Sequence, residues 1–281
     1  MITHMSSHDG TVPVACIQSD PVFGDPERNR ARTADLIAQA CERGAKIVVL
    51  PELCISGYAF RSQDEARDLS EAADGPTAAQ WAKVAAENDS YVIGGICERA
   101  GDEVFNSAIL VGPRGLIGTY RKVHLWNNEK RIFSPGDGGF PVFDTPYGRI
   151  GVLICYDLWF PEAFRSCVLN GADLICVPTA WMPIPRQDPR RDAIHNILIM
   201  AAAHANSMPV ICADRVGREN GISFIGQSMI AGHNGWPLAG PAGETGETIL
   251  FATIEPQAAR RARRWSDVND LIGDRRPDQY F

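Results

Sequence analysis

Three side chains in this sequence have the chemistry of a nucleophilic acyl-transfer site, and each follows a short apolar run. Cys155 ends the run 151–155, Glu52 follows the run 47–51, and Lys122 follows the run 116–120. A thiol, a carboxylate and an amine delivered from strand ends are the parts of a cysteine-dependent acyl-transfer site. Spacing alone does not bring them together, so the fold has to do so.

Cys155 needs a neighbouring base, because a thiol with an ordinary pKa is only a few per cent ionised at pH 7. Asp157, Trp159 and Pro161 mark a sharp exit from the predicted strand into a helix. Such a turn lifts a nucleophile out of a sheet and leaves backbone N–H groups free beside it. The competing interpretation is core packing, since cysteine is often buried and the chain contains eight cysteines.

Glu52 and Lys122 have the chemistry of a base and an oxyanion stabiliser. Glu52 follows five residues without a polar side chain, and desolvation there would raise its carboxyl pKa toward the range of a base at neutral pH. A fixed Lys122 ammonium would stabilise a developing oxyanion. The alternatives are a capping or salt-bridging glutamate and a solvent-facing lysine. His124, which strand alternation places on the same face as Lys122, is an alternative base in a Cys–His pair, and the sequence leaves that pair open.

Composition and charge exclude several classes of protein. The net charge of −7 argues against nucleic-acid binding, and the basic cluster 260–264 is too short to reverse it; a solvated helix face or a last helical turn explains it better. The cysteines are dispersed without a Cys-x-x-Cys pair, which predicts reduced thiols and neither disulfides nor a metal site. No apolar run approaches a membrane span and the amino terminus lacks a signal-peptide core, so we expect no membrane partner and a cytoplasmic location.

The arrangement of apolar runs predicts an α/β fold with two mixed sheets. Four segments have helical periodicity: 27–44, which closes on Gly44, 77–88, 160–170 and 191–207. Short β-branched runs predict ten strands, at 12–17, 46–50, 91–96, 107–111, 116–120, 150–155, 174–178, 210–214, 227–231 and 248–254. Strands alternate with helices in places and follow one another directly elsewhere, as in two packed sheets with helices outside. We expect a disordered extension over 1–10 and a single domain over 11–281.

Three segments resemble the signature blocks of the nitrilase superfamily, the carbon–nitrogen hydrolases, in order, context and distance. They are Pro51-Glu52-Leu53 with Ser56-Gly57-Tyr58, Tyr120-Arg121-Lys122-Val123-His124-Leu125, and Cys155-Tyr156-Asp157 with Phe160-Pro161-Glu162. The resemblance implies that Cys155 is the nucleophile, Glu52 the general base and Lys122 the oxyanion stabiliser. It also implies a four-layer α-β-β-α sandwich, assembly into a homodimer or larger oligomer, and chemistry without a metal or cofactor.

The resemblance assigns four further positions. The backbone N–H of Tyr156 becomes a second oxyanion donor. Glu129 becomes a second glutamate that orients substrate and steadies Lys122; alternatively it pairs with its neighbour Lys130 or Arg131. Trp181 by family analogy and Tyr58 are the expected substrate-binding residues, although a tryptophan at 181 also suits a core or an interface.

The substrate is predicted less sharply than the reaction. Cys155-Tyr156-Asp157 is closer to amidases and carbamoylases than to the Cys-Trp-Glu usual in nitrilases, and Trp159 stands where many of those relatives carry an arginine. Segments 213–217, 224–228 and 269–277 resemble archaeal aliphatic nitrilases. We therefore predict hydrolysis of a small, mostly uncharged amide through a cysteine thioester, with release of ammonia. A nitrilase of small aliphatic nitriles and an N-carbamoyl amidohydrolase are the alternatives. A non-catalytic interaction protein is disfavoured because the three reactive groups are intact.

Overall fold

Two β-sheets packed face to face, with helices on both outer sides, form a four-layer α-β-β-α sandwich. The computed structural model describes residues 10–184, 188 and 193–280, so the extension expected over 1–10 lies outside the described residues except for Gly10. The predicted α/β class with two mixed sheets is confirmed. In the described part of the chain, no helix combines the length and apolarity needed to cross a membrane.

The described residues contain fourteen strands and seven α-helices. The strands are β1 (Val12–Gln18), β2 (Ile47–Val49), β3 (Tyr91–Ala100), β4 (Glu103–Gly112), β5 (Gly115–Arg121), β6 (Val142–Thr145), β7 (Gly148–Val152), β8 (Leu174–Pro178), β9 (Val210–Ala213), β10 (Arg218–Glu219), β11 (Ile222–Ser223), β12 (Met229–Ala231), β13 (Pro237–Ala239) and β14 (Thr248–Ile254). The helices are α1 (Pro26–Glu42), α2 (Gln63–Asp68), α3 (Pro76–Asn88), α4 (Glu129–Ile132), α5 (Pro161–Leu169), α6 (Ile194–Asn206) and α7 (Pro256–Arg261).

Each large sheet has a parallel centre and antiparallel edges. The first sheet has the strand order β14-β1-β2-β3-β4-β5, and β1, β2 and β3 run parallel. The second has the order β13-β12-β9-β8-β7-β6, and β7, β8 and β9 run parallel. Parallel strands are covered on both faces, which explains why their sequences are continuous apolar runs rather than alternating ones.

Strand β1 shows how the layers are filled. Val14 and Cys16 point into the core between the sheets, whereas Ala15 and Ile17 belong to a second core under α1 and α3. Successive side chains of a strand point to opposite faces, so an uninterrupted apolar run supplies both cores at once. Trp81 of α3 is fully buried in the second core.

All ten predicted strands are present, but two of them end early at the positions that matter for function. β2 stops at Val49 and β7 at Val152, so Glu52 and Cys155 lie in turns beyond their strands rather than at the strand ends. The four predicted helices are present as well, although residues 191 and 192 of the predicted fourth helix lie outside the described residues. The sequence analysis missed β6, β10, β11, β13, α2, α4 and α7, because elements of two to six residues carry too little periodicity to be recognised.

The predicted stop of the first helix at Gly44 is confirmed. α1 ends at Glu42, and Gly44 adopts φ +91° while its N–H donates to the carbonyl of Cys41 at 2.8 Å. Glycine takes this left-handed conformation without the steric cost that a Cβ would add. The chain can therefore turn directly from α1 into β2.

Candidate active site

The fold brings the predicted reactive residues to one place between the two sheets. β4 is antiparallel to β3 and β5 is antiparallel to β4, so β5 runs in the same direction as β2 and β3. The turns that follow β2 and β5 therefore leave the first sheet at the same edge, and they carry Glu52 and Lys122. Cys155 meets them from the turn after β7 of the second sheet, and the charges of Glu52, Lys122 and Glu129 all act on its thiol.

Lys122 is a buried ammonium held between two carboxylates. Its Nζ lies 2.7 Å from Oε1 of Glu52 and 2.8 Å from Oε1 of Glu129, and its side chain has no exposed surface. Burial alone would lower the pKa of Lys122, but the charges of Glu129 and Glu52 outweigh it and raise that pKa above its ordinary value. The ammonium therefore stays charged at neutral pH, as electrostatic stabilisation of an oxyanion requires.

The two carboxylate oxygens of Glu52 differ in their hydrogen bonds. Its Oε1 accepts hydrogen bonds from Lys122 and, at 2.7 Å, from Nδ2 of Asn106. Its Oε2 is buried and has no hydrogen-bond partner among the described residues. Burial raises the pKa of Glu52, while Lys122 and Asn106 oppose that rise. A buried carboxylate oxygen without a donor is costly, so this atom is available to accept a proton or a hydrogen bond from a bound molecule.

Cys155 begins a short 3₁₀ helix, Cys155–Trp159, in a strained conformation. Its φ is +46°, a value that residues with a Cβ rarely adopt and that is typical of nucleophiles on a sharp strand-to-helix turn. Burial, followed by the negative charge of Glu52, raises the pKa of the thiol well above its ordinary range, and Lys122 only partly opposes this. The resting group is therefore a neutral thiol, which needs a base at the moment of attack.

Asp157 fixes the turn that carries Cys155, and the sequence analysis did not recognise this role. Oδ2 of this fully buried residue accepts the backbone N–H of Ile154 at 2.8 Å and the hydroxyl of Tyr120 at 2.7 Å, and Oδ1 lies 2.7 Å from Nδ1 of His124. A carboxylate with several donors restrains the backbone on which the nucleophile sits.

His124, the alternative base of the sequence analysis, has a carboxylate partner in Asp157. β5 ends at Arg121, so strand alternation does not decide where His124 points. Its ring stacks on Phe160 at a centroid distance of 3.6 Å. The charged groups that act most strongly on the Cys155 thiol are Glu52, Lys122 and Glu129.

Glu129 is part of the cluster and is buried. The Tyr58 hydroxyl donates to its Oε1 at 2.5 Å, and the backbone N–H of Trp126 donates to its Oε2 at 3.0 Å. No ion pair joins Glu129 to Lys130 or Arg131 among the residues the structure describes, so the alternative pairing is not observed. Tyr58 thus contacts Glu129, and it does not line the cavity beside Cys155.

The loop that carries Tyr58 is held by a buried ion pair that the sequence analysis also missed. Oε2 of Glu219 accepts the backbone N–H groups of Tyr58 at 2.8 Å and Ala59 at 3.0 Å, and its Oε1 pairs with Arg215. Both charged side chains are almost fully buried. Arg215 and Glu219 are four residues apart, but the loop that Glu219 holds is 161 residues away, and the local sequence gives no signal of that contact.

A cavity of about 220 Å³ opens onto Cys155. Its wall is mainly aromatic and apolar and, among the residues described, includes no charged side chain; it consists of Trp126, Asn127, Cys155, Tyr156, Trp159, Ala180, Trp181, Met182, Pro183 and Ile184. Trp181 therefore lies where the sequence analysis expected it, and Trp126 and Met182 are additions. A larger cavity, about 600 Å³, lies between α5 and α6 on the outer face, away from the charged cluster.

No metal-binding arrangement of three or more His, Cys, Asp or Glu side chains is found within residues 10–184, 188 and 193–280.

Comparison with known proteins identifies the family. Residues 13–264 match the model of the carbon-nitrogen hydrolase family. The chain is 40% identical to a protein named nitrilase from Pyrococcus abyssi, over 96% of this chain and 99% of that one. It is 34% identical to the N-carbamoylputrescine amidase of Arabidopsis thaliana, over 91% and 90% of the two chains. The crystal structure of a carbon-nitrogen hydrolase from Helicobacter pylori superposes with a TM-score of 0.85 at 29% identity, covering 96% and 97%.

The fold and these matches define a hydrolase of carbon–nitrogen bonds with an α-β-β-α sandwich fold. The chain belongs to the carbon–nitrogen hydrolases of the nitrilase superfamily, as its three sequence blocks predicted.

Proposed function

We propose that this carbon–nitrogen hydrolase cleaves a small, uncharged primary amide through a Cys155 thioester and releases ammonia and a carboxylic acid. The observation that carries the proposal is the unpartnered, buried Oε2 of Glu52, in the same charged cluster as the Cys155 thiol and the Lys122 ammonium. One site then holds a proton acceptor, a nucleophile and a fixed positive charge, which are the requirements of acyl transfer.

In the first half of the reaction, Glu52 takes the thiol proton as Cys155 Sγ bonds to the amide carbon. The carbonyl oxygen becomes an oxyanion that Lys122 Nζ and the backbone N–H of Tyr156 stabilise. Protonated Glu52 then gives its proton to the amide nitrogen, the C–N bond breaks, and ammonia leaves a thioester on Cys155. Glu129, which holds Lys122 on its other side, orients the substrate.

In the second half, water attacks the thioester while Glu52 accepts one of its protons. The C–S bond breaks, Sγ recovers a proton from Glu52, and the carboxylic acid leaves. A neutral resting thiol and a carboxylate base suit this cycle, because in both halves Glu52 accepts a proton from the nucleophile and gives it to the leaving group.

An amide matches the polar groups of the site better than a nitrile does. An amide offers an acceptor oxygen to Lys122 and donor hydrogens to the unpaired Oε2 of Glu52. A nitrile has one acceptor and no donor, so it leaves this buried oxygen unpaired. Hydrolysis of small aliphatic nitriles is nevertheless the second candidate, because a relative named nitrilase shares 40% of its residues with this chain.

An N-carbamoyl substrate with a charged end is the third candidate, and the cavity gives it little support. A relative is named N-carbamoylputrescine amidase, and its substrate has an amine at the far end. The described residues that line the cavity beside Cys155 include no carboxylate or guanidinium to pair with such a charge. An unpaired charge in an apolar cavity is strongly disfavoured.

The test is to incubate the protein with primary amides and nitriles that share the same acyl group and to measure ammonia. We expect ammonia from the amides, with short aliphatic acyl groups the most reactive, and a covalent Cys155 acyl adduct by mass spectrometry of quenched reactions. Ammonia from the nitriles with none from the amides would overturn the choice of amide. No ammonia from either series would reject both candidates.

The role of Cys155 has its own control. Cys155→Ala removes the nucleophile, so we expect loss of turnover and of the covalent adduct with the fold retained. Cys41→Ala is the matched variant, because Cys41 is also a buried thiol but lies on α1 in the helix-side core. Near-normal turnover by Cys155→Ala would exclude Cys155 as the nucleophile.

A further inference from the structure

Trp181 is a wall of the Cys155 cavity, and its backbone is fixed on both sides. Its N–H donates to Oδ1 of Asp214 at 2.8 Å, and its carbonyl accepts the N–H of Ile225 at 3.0 Å. The residue is 5% exposed. These bonds fix the position of the main chain and do not involve the indole, whose rotation depends on the groups that contact it.

His195 packs against that ring. The imidazole and the indole are parallel, with an interplanar angle of 6° and a centroid distance of 4.5 Å. His195 is buried and is not one of the residues that line the cavity. Burial lowers the pKa of His195 to about 3, so the ring is neutral at neutral pH. Its Nε2 has no hydrogen-bond partner among the described residues. His195 therefore contacts Trp181 through the face of its ring.

The first turn of α6 holds His195 still. Oε1 of Gln227 accepts the backbone N–H of Ala193 at 3.1 Å and Nδ2 of Asn196 at 2.8 Å, on either side of His195. Gln227 is itself tied by its Nε2 to Glu244 at 3.0 Å. These bonds fix the start of α6, which carries the imidazole against Trp181.

We propose that His195 is a positioning residue: it holds the indole of Trp181 in place as a wall of the Cys155 cavity and so sets the length of the acyl group that the site accepts. The inference rests on the proposed function, because that function supplies the acyl groups whose length the cavity would select. A wall of a cavity as small as this one decides between acyl groups by single methylene units, each worth about tenfold or more in discrimination.

The test measures kcat and KM over straight-chain primary amides from acetamide to hexanamide. In His195→Ala the indole loses its support, so we expect KM for the preferred short amide to rise about tenfold and the preference for chain length to flatten. His195→Phe restores a flat ring and should restore the length profile. If His195→Ala is too unstable to purify, His195→Leu replaces it, since leucine fills volume without offering a flat ring.

His204→Ala is the matched control. His204 lies on the same helix and also stacks on a tryptophan, Trp265, but both rings are on the exposed surface, at 6.3 Å. We expect the dependence of kcat and KM on amide chain length in His204→Ala to equal that of the unsubstituted protein. A merely structural role of His195 would lower stability and total activity without changing the profile.

A second readout needs no turnover. 2-Chloro primary amides of increasing chain length alkylate a thiol by forming an S–C bond as chloride leaves and the thiol proton passes to a base, and mass spectrometry gives the rate at Cys155. We expect the length dependence of this rate to flatten in His195→Ala or His195→Leu and to be retained in His195→Phe. An unchanged length dependence in folded His195→Ala or His195→Leu overturns the inference. Absence of ammonia from every amide and nitrile would reject the proposed function, and the alkylation profile would still decide the role of His195.

Discussion

At the scale of single residues, the site depends on which oxygen of Glu52 is occupied. Lys122 and Asn106 both donate to Oε1, so Oε2 remains for the thiol and the substrate. Asn106 is in this sense a positioning residue for Glu52. Its side chain is fully buried in β4, and the sequence signal that could have found it is an amide inside a mostly apolar strand.

Asn106→Leu should weaken catalysis at neutral pH and shift its pH dependence. The hydrogen bond from Asn106 lowers the pKa of Glu52, so its loss raises that pKa. The base is then protonated up to a higher pH, and the acidic limb of the kcat/KM profile moves to higher pH. We expect kcat/KM at pH 7 to fall roughly tenfold to a hundredfold, as for a lost hydrogen bond to a charged group.

The measurement is the pH profile of kcat/KM with a single amide. Asn88→Ala serves as the control, because the Asn88 side chain bonds only to the carbonyl of Val84 within α3, among the hydrogen bonds described. An acidic limb that stays in place in Asn106→Leu would show that Asn106 does not act through Glu52.

At the scale of elements, the turn that carries Glu52 lies against the middle of β3. The backbone N–H of Gly95 donates to the carbonyl of Pro51 at 2.9 Å, and its carbonyl accepts the N–H of Cys54 at 3.1 Å. A Cβ on Gly95 would lie 2.3 Å from the backbone nitrogen of Leu53 and 2.6 Å from Cα of Glu52. Glycine is required here because two backbones approach each other, not because of its torsion angles.

Gly95→Ala should therefore displace the Glu52 turn. We expect the free energy of unfolding to fall by about 1–3 kcal/mol, as for overpacking in a core, and kcat to fall on the order of 100-fold as the base moves by about 1 Å. Denaturant unfolding and steady-state kinetics measure the two effects.

Gly138→Ala is the matched control, because an added Cβ there meets no atom within 4 Å. It should leave both quantities unchanged. Normal kcat in Gly95→Ala would mean that the contact between β3 and the Glu52 turn does not position the base.

At the scale of the whole molecule, assembly into a homodimer or larger oligomer remains a prediction from the family resemblance. The larger cavity between α5 and α6 is a groove on the outer face, and it suits the same groove of a second copy of the protein. It has a small-residue apolar floor that includes Ala201 and Ala205, and both Glu162 and Arg165 line it. In a two-fold interface, Glu162 of one subunit can face Arg165 of the other, and the reverse pair forms at the same time. Trp159 lines this groove and also the Cys155 cavity, so assembly and activity are expected to be linked.

Ala201→Glu should break the assembly by burying charge in the groove. Sedimentation velocity should give a dimer or larger species for the unsubstituted protein and a smaller one for this variant, with reduced kcat/KM. Ala79→Glu on the exposed face of α3 is the control. A monomeric unsubstituted protein at micromolar concentration would contradict the prediction.

The apolar runs of the sequence predicted the two mixed sheets, and the resemblance of its three blocks to the nitrilase superfamily predicted the family and one shared site for Glu52, Lys122 and Cys155. Both predictions rest on local stretches of sequence: the apolar run of each strand and the short blocks that carry the reactive residues. The single-domain organisation, the cytoplasmic location and the roles of the site residues remain predictions.

Only the tertiary structure decided which partners complete the site. Glu129 with Tyr58, Asp157 with Tyr120, and Glu219 with the Tyr58 loop join segments that are 37 to 161 residues apart in the chain. The stack of His195 on Trp181 depends in the same way on where α6 packs. Such contacts leave no periodic trace in the sequence, because they arise when strands pair and layers pack. Local sequence therefore determined the reactive groups, and long-range packing determined the oxygens, rings and backbone turns that aim them.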